Sequence, residues 1–458
     1  MAEPRRAVKA GAGPVSGLVT YVRALGPTGL ALGIQFVTFA VTARGLGVAG
    51  FGIYAEVSAL AAILIEVLGL GTTDVLVRAV ARDPDRFADH FGALLAGLAI
   101  SFPPVLALGL VILLWTAPAG PGLAVLMVGL AGEMIAGRAS ASAESVLVAH
   151  GEIAGAGLVR MIAAGTRLGA AIGFFAVSRA LSLWVWVVLA QAVALALGLG
   201  VHVALRFGRP RARWSWQILR AGQAFALNQT ARAVQGNIDR LILAAFADPV
   251  ALGAYAAGAR LLVVGLFPIQ VLTRMLYPEF FRRGVDGIVA TRRYALEQAP
   301  VMLATGYAAL AAVVIVAQAL PQVLGHDFAG SRDAAMVLAC ALPLIGLQYL
   351  AADTLTGAGH QGVRAVLAVA ASAGSGAIML AGVHLLGGIG GVVAGFIAGQ
   401  ALFLAVLVVA CRLVGRRGKG PIGAGRHGRG GRPVEQPQAH QANQAGSPRS
   451  SGFSTAQT

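Results

Sequence analysis

Residues 46–63 read LGVAGFGIYAEVSALAAI, and residues 247–264 read ADPVALGAYAAGARLLVV. Gly52-x-Tyr54-Ala55 in the first stretch aligns with Gly253-x-Tyr255-Ala256 in the second, 201 residues later. Each stretch leads into a long apolar run, so the chain carries an internal repeat. Twelve apolar spans fit the sequence, at 25–43, 53–77, 91–115, 123–148, 157–177, 181–205, 218–246, 251–279, 295–318, 334–356, 363–386 and 391–413. Each has about the length that a ~30 Å hydrocarbon core requires of a helix. Six spans per copy is an even number, so both copies enter the membrane in the same direction. The expected fold is an all-α polytopic membrane protein with two parallel six-helix lobes about an axis along the membrane normal.

Composition agrees. The chain is 57% hydrophobic and 12% charged, against about 25% charged in a soluble domain. Its mean hydropathy is +0.77. The cysteines, Cys340 and Cys411, lie in apolar runs, and no Cys/His spacing suits a metal. No motif calls for a cofactor or a nucleic-acid partner. The expected organisation is a basic N-terminal segment (1–24), a first lobe (25–205), a basic linker (206–217), a second lobe (218–413) and a disordered basic tail (414–458). With the N-terminus inside, 26 of the 35 Lys and Arg residues fall on the inner side and three on the outer side; six lie within spans. The positive-inside rule therefore places both termini in the cytoplasm of a multi-pass cell-membrane protein. Trp115, Trp184 and Trp186 fall at outer span ends and Trp214 and Trp216 at an inner one, as an aromatic belt requires.

The seventh span is the most polar. It reads ALNQTARAVQGNIDR over residues 226–240. Asn228, Arg232, Gln235 and Asp239 recur at i, i+4, i+7 and i+11 and form one helical stripe. A lipid-facing charge at mid-span costs about 2.5–3.5 kcal/mol on insertion scales, so the stripe must face other helices or a wet cavity. An interhelical hydrogen-bond seam and a substrate pathway both satisfy that requirement.

At this point the residues resemble a known family. Ala43-Arg44-x-Leu46-Gly47, Phe51-Gly52-x-Tyr54, Gly69-Leu70-Gly71 and Arg78 resemble the first two helices of polysaccharide-biosynthesis proteins. So do Asn237-Ile238-Asp239-Arg240-Leu241-Ile242-Leu243 and Gly253-x-Tyr255-x-x-Gly258-x-Arg260 at the start of the second half. Leu355-Thr356-Gly357-Ala358-Gly359 is similar to that family's tenth span. The family is the Wzx-type oligosaccharide-lipid flippases of the MATE-like superfamily. The resemblance implies a V-shaped pair of six-helix lobes working by alternating access. The cargo it implies is an undecaprenyl-diphosphate-linked oligosaccharide, moved to the outer leaflet for O-antigen or polysaccharide assembly. It also implies coupling to a H+ or Na+ gradient, and it adds polysaccharide polymerases and glycosyltransferases as candidate partners. Alternatives from other classes are a MATE-type cation-coupled multidrug antiporter and a membrane-embedded polymerase or acyltransferase.

For an anionic cargo, arginine is the residue of choice, because its planar fork grips phosphate oxygens bidentately. Arg138, Arg167, Arg232, Arg240, Arg260 and Arg274 lie within spans. The candidate cavity residues are Arg232, Asn228, Gln235, Arg260, Arg274 and Gln35. Arg260, Phe267 and Arg274 share a face of the eighth span, with a kink expected at Pro268. A pairing of Arg274 with Glu279 is the structural alternative. The ion-coupling candidates are Asp239, Glu66 and Glu133, since a membrane carboxylate beside arginines can load and release a proton. Asp74 and Arg78 are expected to pair, Glu56 to be interfacial, and Gln35, Thr38 and Thr42 to make packing hydrogen bonds.

Overall fold

The computed structural model describes the backbone of residues 14–116, 122–211 and 215–417, with side chains throughout except at 14–29, 31, 32, 224, 228, 416 and 417. The basic N-terminal residues 1–13, Trp214 and the tail from 418 lie outside the described residues. The described chain is helical and carries no strand. In order come α1 (Pro14–Val67), α2 (Thr72–Val80), α3 (Phe87–Thr116), α4 (Leu123–Ala149), α5 (Ile153–Val177), α6 (Leu181–Phe207) and α7 (Trp216–Phe246). There follow α8 (Pro249–Gly284), α9 (Ile288–Ala317), α10 (Leu320–Leu324), α11 (Ala329–Ala339), α12 (Ala341–Gly357), α13 (Gln361–Leu386) and α14 (Gly388–Arg417).

Ten segments among the described residues are long and apolar enough to cross a membrane. Two facts reconcile ten with twelve passes. The first segment, Gly33–Val80, is 48 residues long, enough for two passes. It turns back at Gly47, whose backbone is non-helical. Twelve residues of straight helix would hold Phe39 and Phe51 about 18 Å apart, yet their ring centroids are 5.4 Å apart. The other fact is α7, a single helix of 31 residues. Its polar residues keep it below the apolar threshold, although its length is that of a pass.

The helices pack in the expected two sets. In the first lobe α4 lies against α1, α3, α5 and α6, and in the second α8 lies against α9, α11 and α12. The repeat sits where the lobes meet. A methyl group on Gly52 would lie 1.9 Å from the Pro249 carbonyl oxygen, and one on Gly253 would lie 2.0 Å from that of Val48. The two repeat glycines therefore cross backbone to backbone. Without a hydrophobic drive between helices in lipid, small residues supply this close packing. One buried apolar cluster runs through both lobes at this end, from Phe39, Phe51 and Trp184 to Tyr255, Phe328 and Leu338.

Several expectations change. The second span is not continuous: Gly69, Leu70 and Gly71 all have positive φ and break it between α1 and α2. Leu70 is the one non-glycine with positive φ among the described residues. The break is held from three sides. The Gly69 N–H donates to Ser101 Oγ at 2.9 Å. The Arg138 guanidinium donates to Thr73, and Gly71 packs on the Gly222 carbonyl of α7. α8 runs as one helix through both Pro268, where a kink is expected, and Pro278. Trp184 is buried, not a belt residue, because it packs against Phe174 and Tyr54. The segment between the expected spans 295–318 and 334–356 is not an open loop; it is mostly folded into α10, a 3-10 turn and the start of α11.

The break supplies a test. At Gly71 a methyl group would lie 2.1 Å from the Gly222 oxygen, and φ is +75°. Both steric crowding and backbone strain oppose a side chain here. Gly71→Ala should cost about 1–3 kcal/mol and lower the thermal unfolding midpoint of the detergent-solubilised protein by several degrees. An unchanged midpoint would refute the contact.

Candidate functional site

The turn at Gly47 brings Tyr54 to the first turns of the returning helix, facing α4 and α6. Its hydroxyl donates to Glu133 Oε1 on α4. Arg167 on α5 donates to the same Oε1 and also contacts the Tyr54 hydroxyl. The other guanidinium nitrogen reaches Gln191 Oε1 on α6 at 3.2 Å. The guanidinium carbon lies 5.4 Å from the centroid of the Trp184 ring, in cation–π contact. Four helices of the first lobe thus converge on one arginine and one carboxylate.

The second lobe supplies the facing wall. Arg260 is solvent-exposed by surface area, yet it lies within electrostatic reach of Arg240, Tyr54 and Arg167. An arginine that is both accessible and surrounded by both lobes lines the cleft between them. Arg240 Nη1 donates to Asn237 Oδ1 at 2.9 Å. Asp239, next in sequence, is turned away: it is buried and accepts from the Tyr255 hydroxyl at 2.6 Å. The ~100° step between adjacent helical residues separates the two. Arg167 and Arg240 thus lie within electrostatic reach of Arg260, with Glu133 paired to Arg167 and Asp239 held by Tyr255.

Other candidates sit elsewhere. The stripe on α7 does not line one surface. Arg232 is exposed and lies within electrostatic reach of Tyr349 on α12. Gln235 is half-buried, Asp239 is buried, and the side chain of Asn228 lies outside the described residues. Arg364 on α13 donates to Asp353 Oδ1 at 3.1 Å and to Thr356 Oγ1 at 2.6 Å, which ties α12 to α13. Gln35 is exposed on α1, while Thr38 bonds its own helix at the Ile34 carbonyl, 2.8 Å away.

The expected side-chain pairs differ in three places. Arg274 is exposed and does not pair with Glu279, because Glu279 is held by Arg282 at 2.6 Å and Arg283 at 3.0 Å. Asp74 forms no ion pair with Arg78 among the described residues. Asp74 and Glu66 instead lie in the field of Arg138, on the far side of α4 from Glu133. Glu56 is not interfacial; it is buried and accepts from Thr116. Among the described residues no group of three His, Cys, Asp or Glu could hold a metal ion.

In the sequence Arg167 is one of six arginines within spans, with nothing local to mark it, and Tyr54 and Tyr255 are matched positions of the repeat without a visible role. The repeat itself is the signal, since it puts each tyrosine two residues after the corresponding glycine.

With this geometry the chain can be compared with known proteins. The family model for polysaccharide biosynthesis proteins matches residues 25–283. The chain belongs to this family. No curated protein matches it. Among solved structures it resembles the inward-facing conformation of a multidrug resistance MATE family transporter of the MOP superfamily. That match has 16% identity, covers 85% of this chain and 96% of that one, and has a TM-score of 0.68. The outward-facing conformation of a MATE family transporter matches with 18% identity, 87% and 96% coverage and a TM-score of 0.56. A MOP superfamily transporter from Pyrococcus furiosus is described as having a binding pocket of reversed polarity that suggests a different function. It matches with 16% identity, 86% and 94% coverage and a TM-score of 0.57. At these identities the likeness shows the MATE-type fold. Family membership and transporter fold together support a membrane transporter.

Proposed function

We propose that this polysaccharide biosynthesis protein is a flippase that moves undecaprenyl-diphosphate-linked oligosaccharides from the cytoplasmic to the outer leaflet by ion-coupled alternating access. The observation that carries this reading is the meeting of Arg167, Arg240 and Arg260 at the lobe boundary. Three guanidinium groups in one cleft suit a dianionic diphosphate. They repel a cationic drug, which counts against the multidrug alternative despite the shared fold. The 26-to-3 distribution of basic residues supports a cytoplasmic position for both termini. On that orientation the Gly52–Gly253 crossing closes the outer end. The higher TM-score against the inward-facing structure agrees with such a state.

The test is reconstitution into proteoliposomes carrying an undecaprenyl-diphosphate oligosaccharide. Outward movement should require the protein and respond to an imposed pH or Na+ gradient. Failure to move any such lipid, with active export of a cationic dye, would replace this reading with the multidrug antiporter.

A further inference from the structure

Away from the cleft, α4 carries two buried side chains whose polar atoms are left over. Arg138 and Ser142 are both buried, and neither Arg138 Nε nor Ser142 Oγ has a hydrogen-bond partner. Spaced i, i+4, they lie one above the other on one face of the helix. Arg138 Nη2 donates to Thr73. Glu66 and Asp74 lie within the field of the guanidinium, but neither forms an ion pair with it among the described residues. A buried charge ordinarily has a direct ionic partner, and a buried donor an acceptor. Glu133, five residues before Arg138, points about 140° away around α4, so this face is separate from the arginine cluster.

Both side chains line a cavity of about 210 Å³ within the first lobe. Leu95, Leu98 and Phe102 of α3 form one wall and Leu199, Gly200 and Val203 of α6 the other, with α4 between them. Apart from Arg138 and Ser142 the lining is apolar throughout. Leu95 and Gly200 are exposed, so the cavity opens between α3 and α6. The same stretches of these helices expose Ile100, Leu197 and Val201, a surface that suits lipid chains.

We propose that this cavity binds a long-chain aliphatic carboxylate, with its carboxylate on Arg138 and Ser142 and its chain between α3 and α6. The two oxygens of a carboxylate match a guanidinium fork and one hydroxyl, and the ion pair supplies the partner that Arg138 lacks. A phospholipid headgroup would bring further phosphate and glycerol oxygens into an apolar lining that cannot satisfy them. An uncharged chain would fill the space and leave the buried cation as it is. The site does not depend on the cargo of the cleft.

Photolabelling tests this, with the full chain in lipid nanodiscs and a palmitate that carries a photoreactive group on its chain. Label should fall on the cavity residues of α3 and α6, and excess palmitate should displace it where hexadecanol does not. Ser142→Val removes a hydroxyl that has no partner in the protein, so the fold should hold, and half-maximal labelling should need about tenfold more probe or beyond. Gly200→Phe should block the mouth and abolish cavity labelling; a Cβ at Gly200 meets nothing within 4 Å, so the backbone need not move. Arg138→Gln keeps an amide donor for Thr73 and should lose the preference for acid over alcohol. Displacement of the label by hexadecanol as readily as by palmitate in wild type overturns the proposal. So does label spread over the whole lipid-facing surface, or cavity labelling unchanged in Ser142→Val and Gly200→Phe. Each of these results leaves the flippase reading standing.

Discussion

Gly52→Val should abolish transport by preventing the lobes from closing where the repeats cross. Even a methyl group at Gly52 would lie 1.9 Å from the Pro249 oxygen and 2.8 Å from the Gly253 nitrogen. These are backbone atoms, so no side-chain rotation relieves the contact. Relief requires the two helices to part, and the buried Tyr54, Trp184 and Tyr255 beside them would lose packing. Overpacking of this kind costs about 1–3 kcal/mol or more. Because the cost falls on the closed state alone, it shifts the balance with the open one by about ten- to a hundredfold. Spin labels at exposed Val177 on α5 and Val323 on α10 would report it. Their separation should lengthen in Gly52→Val and, to a lesser extent, in Gly52→Ala. Wild-type distances with wild-type transport would refute the crossing as an obligatory contact.

Arg260→Ala should reduce transport to background without weakening the fold. Arg260 lies within electrostatic reach of Arg240 in its own lobe and of Arg167 in the first. A hydrogen bond to a charged group contributes about 1.5–3 kcal/mol, equivalent to a loss of roughly tenfold to a hundredfold in pyrophosphate affinity. Stability should move the other way or not at all. Arg240 and Arg167 are like charges nearby, and removing one of three mutually repelling groups relieves the others. A retained or raised unfolding midpoint with lost transport separates a cargo site from a structural role; loss of fold would assign Arg260 to structure. Arg260→Lys keeps the charge but not the planar fork, and should recover only part of the activity. Arg274→Ala removes an exposed arginine outside this cluster and should be much milder. Arg232→Ala probes the separate neighbourhood of Tyr349.

The residues on α7 show how far sequence carries. Periodicity placed Asn228, Arg232, Gln235 and Asp239 on one stripe and required that it avoid lipid. It could not divide the stripe. A helix of 31 residues extends about 46 Å, so its two ends meet different neighbours. Asp239 ends against Tyr255, and Arg232 ends near Tyr349. The i, i+4 rule likewise suggested Asp74–Arg78 and could not anticipate Arg138, which comes from a helix that only the fold brings near.

By itself the sequence determined the membrane class, the all-helical fold and the family, because these are written in hydropathy, spacing and local repeats. Span length is set by bilayer thickness, and repeat orientation by an even count of spans. The site was decided by the tertiary structure. Tyr54, Glu133, Arg167 and Gln191 are widely separated along the chain and meet because Gly47 turns α1 back and α4, α5 and α6 pack around it within the first lobe. Gly52-x-Tyr54 and Gly253-x-Tyr255 were visible as a repeat from the start. That the glycines form the crossing and the tyrosines each hold a carboxylate beside it depends on contacts between distant helices, which no local pattern encodes.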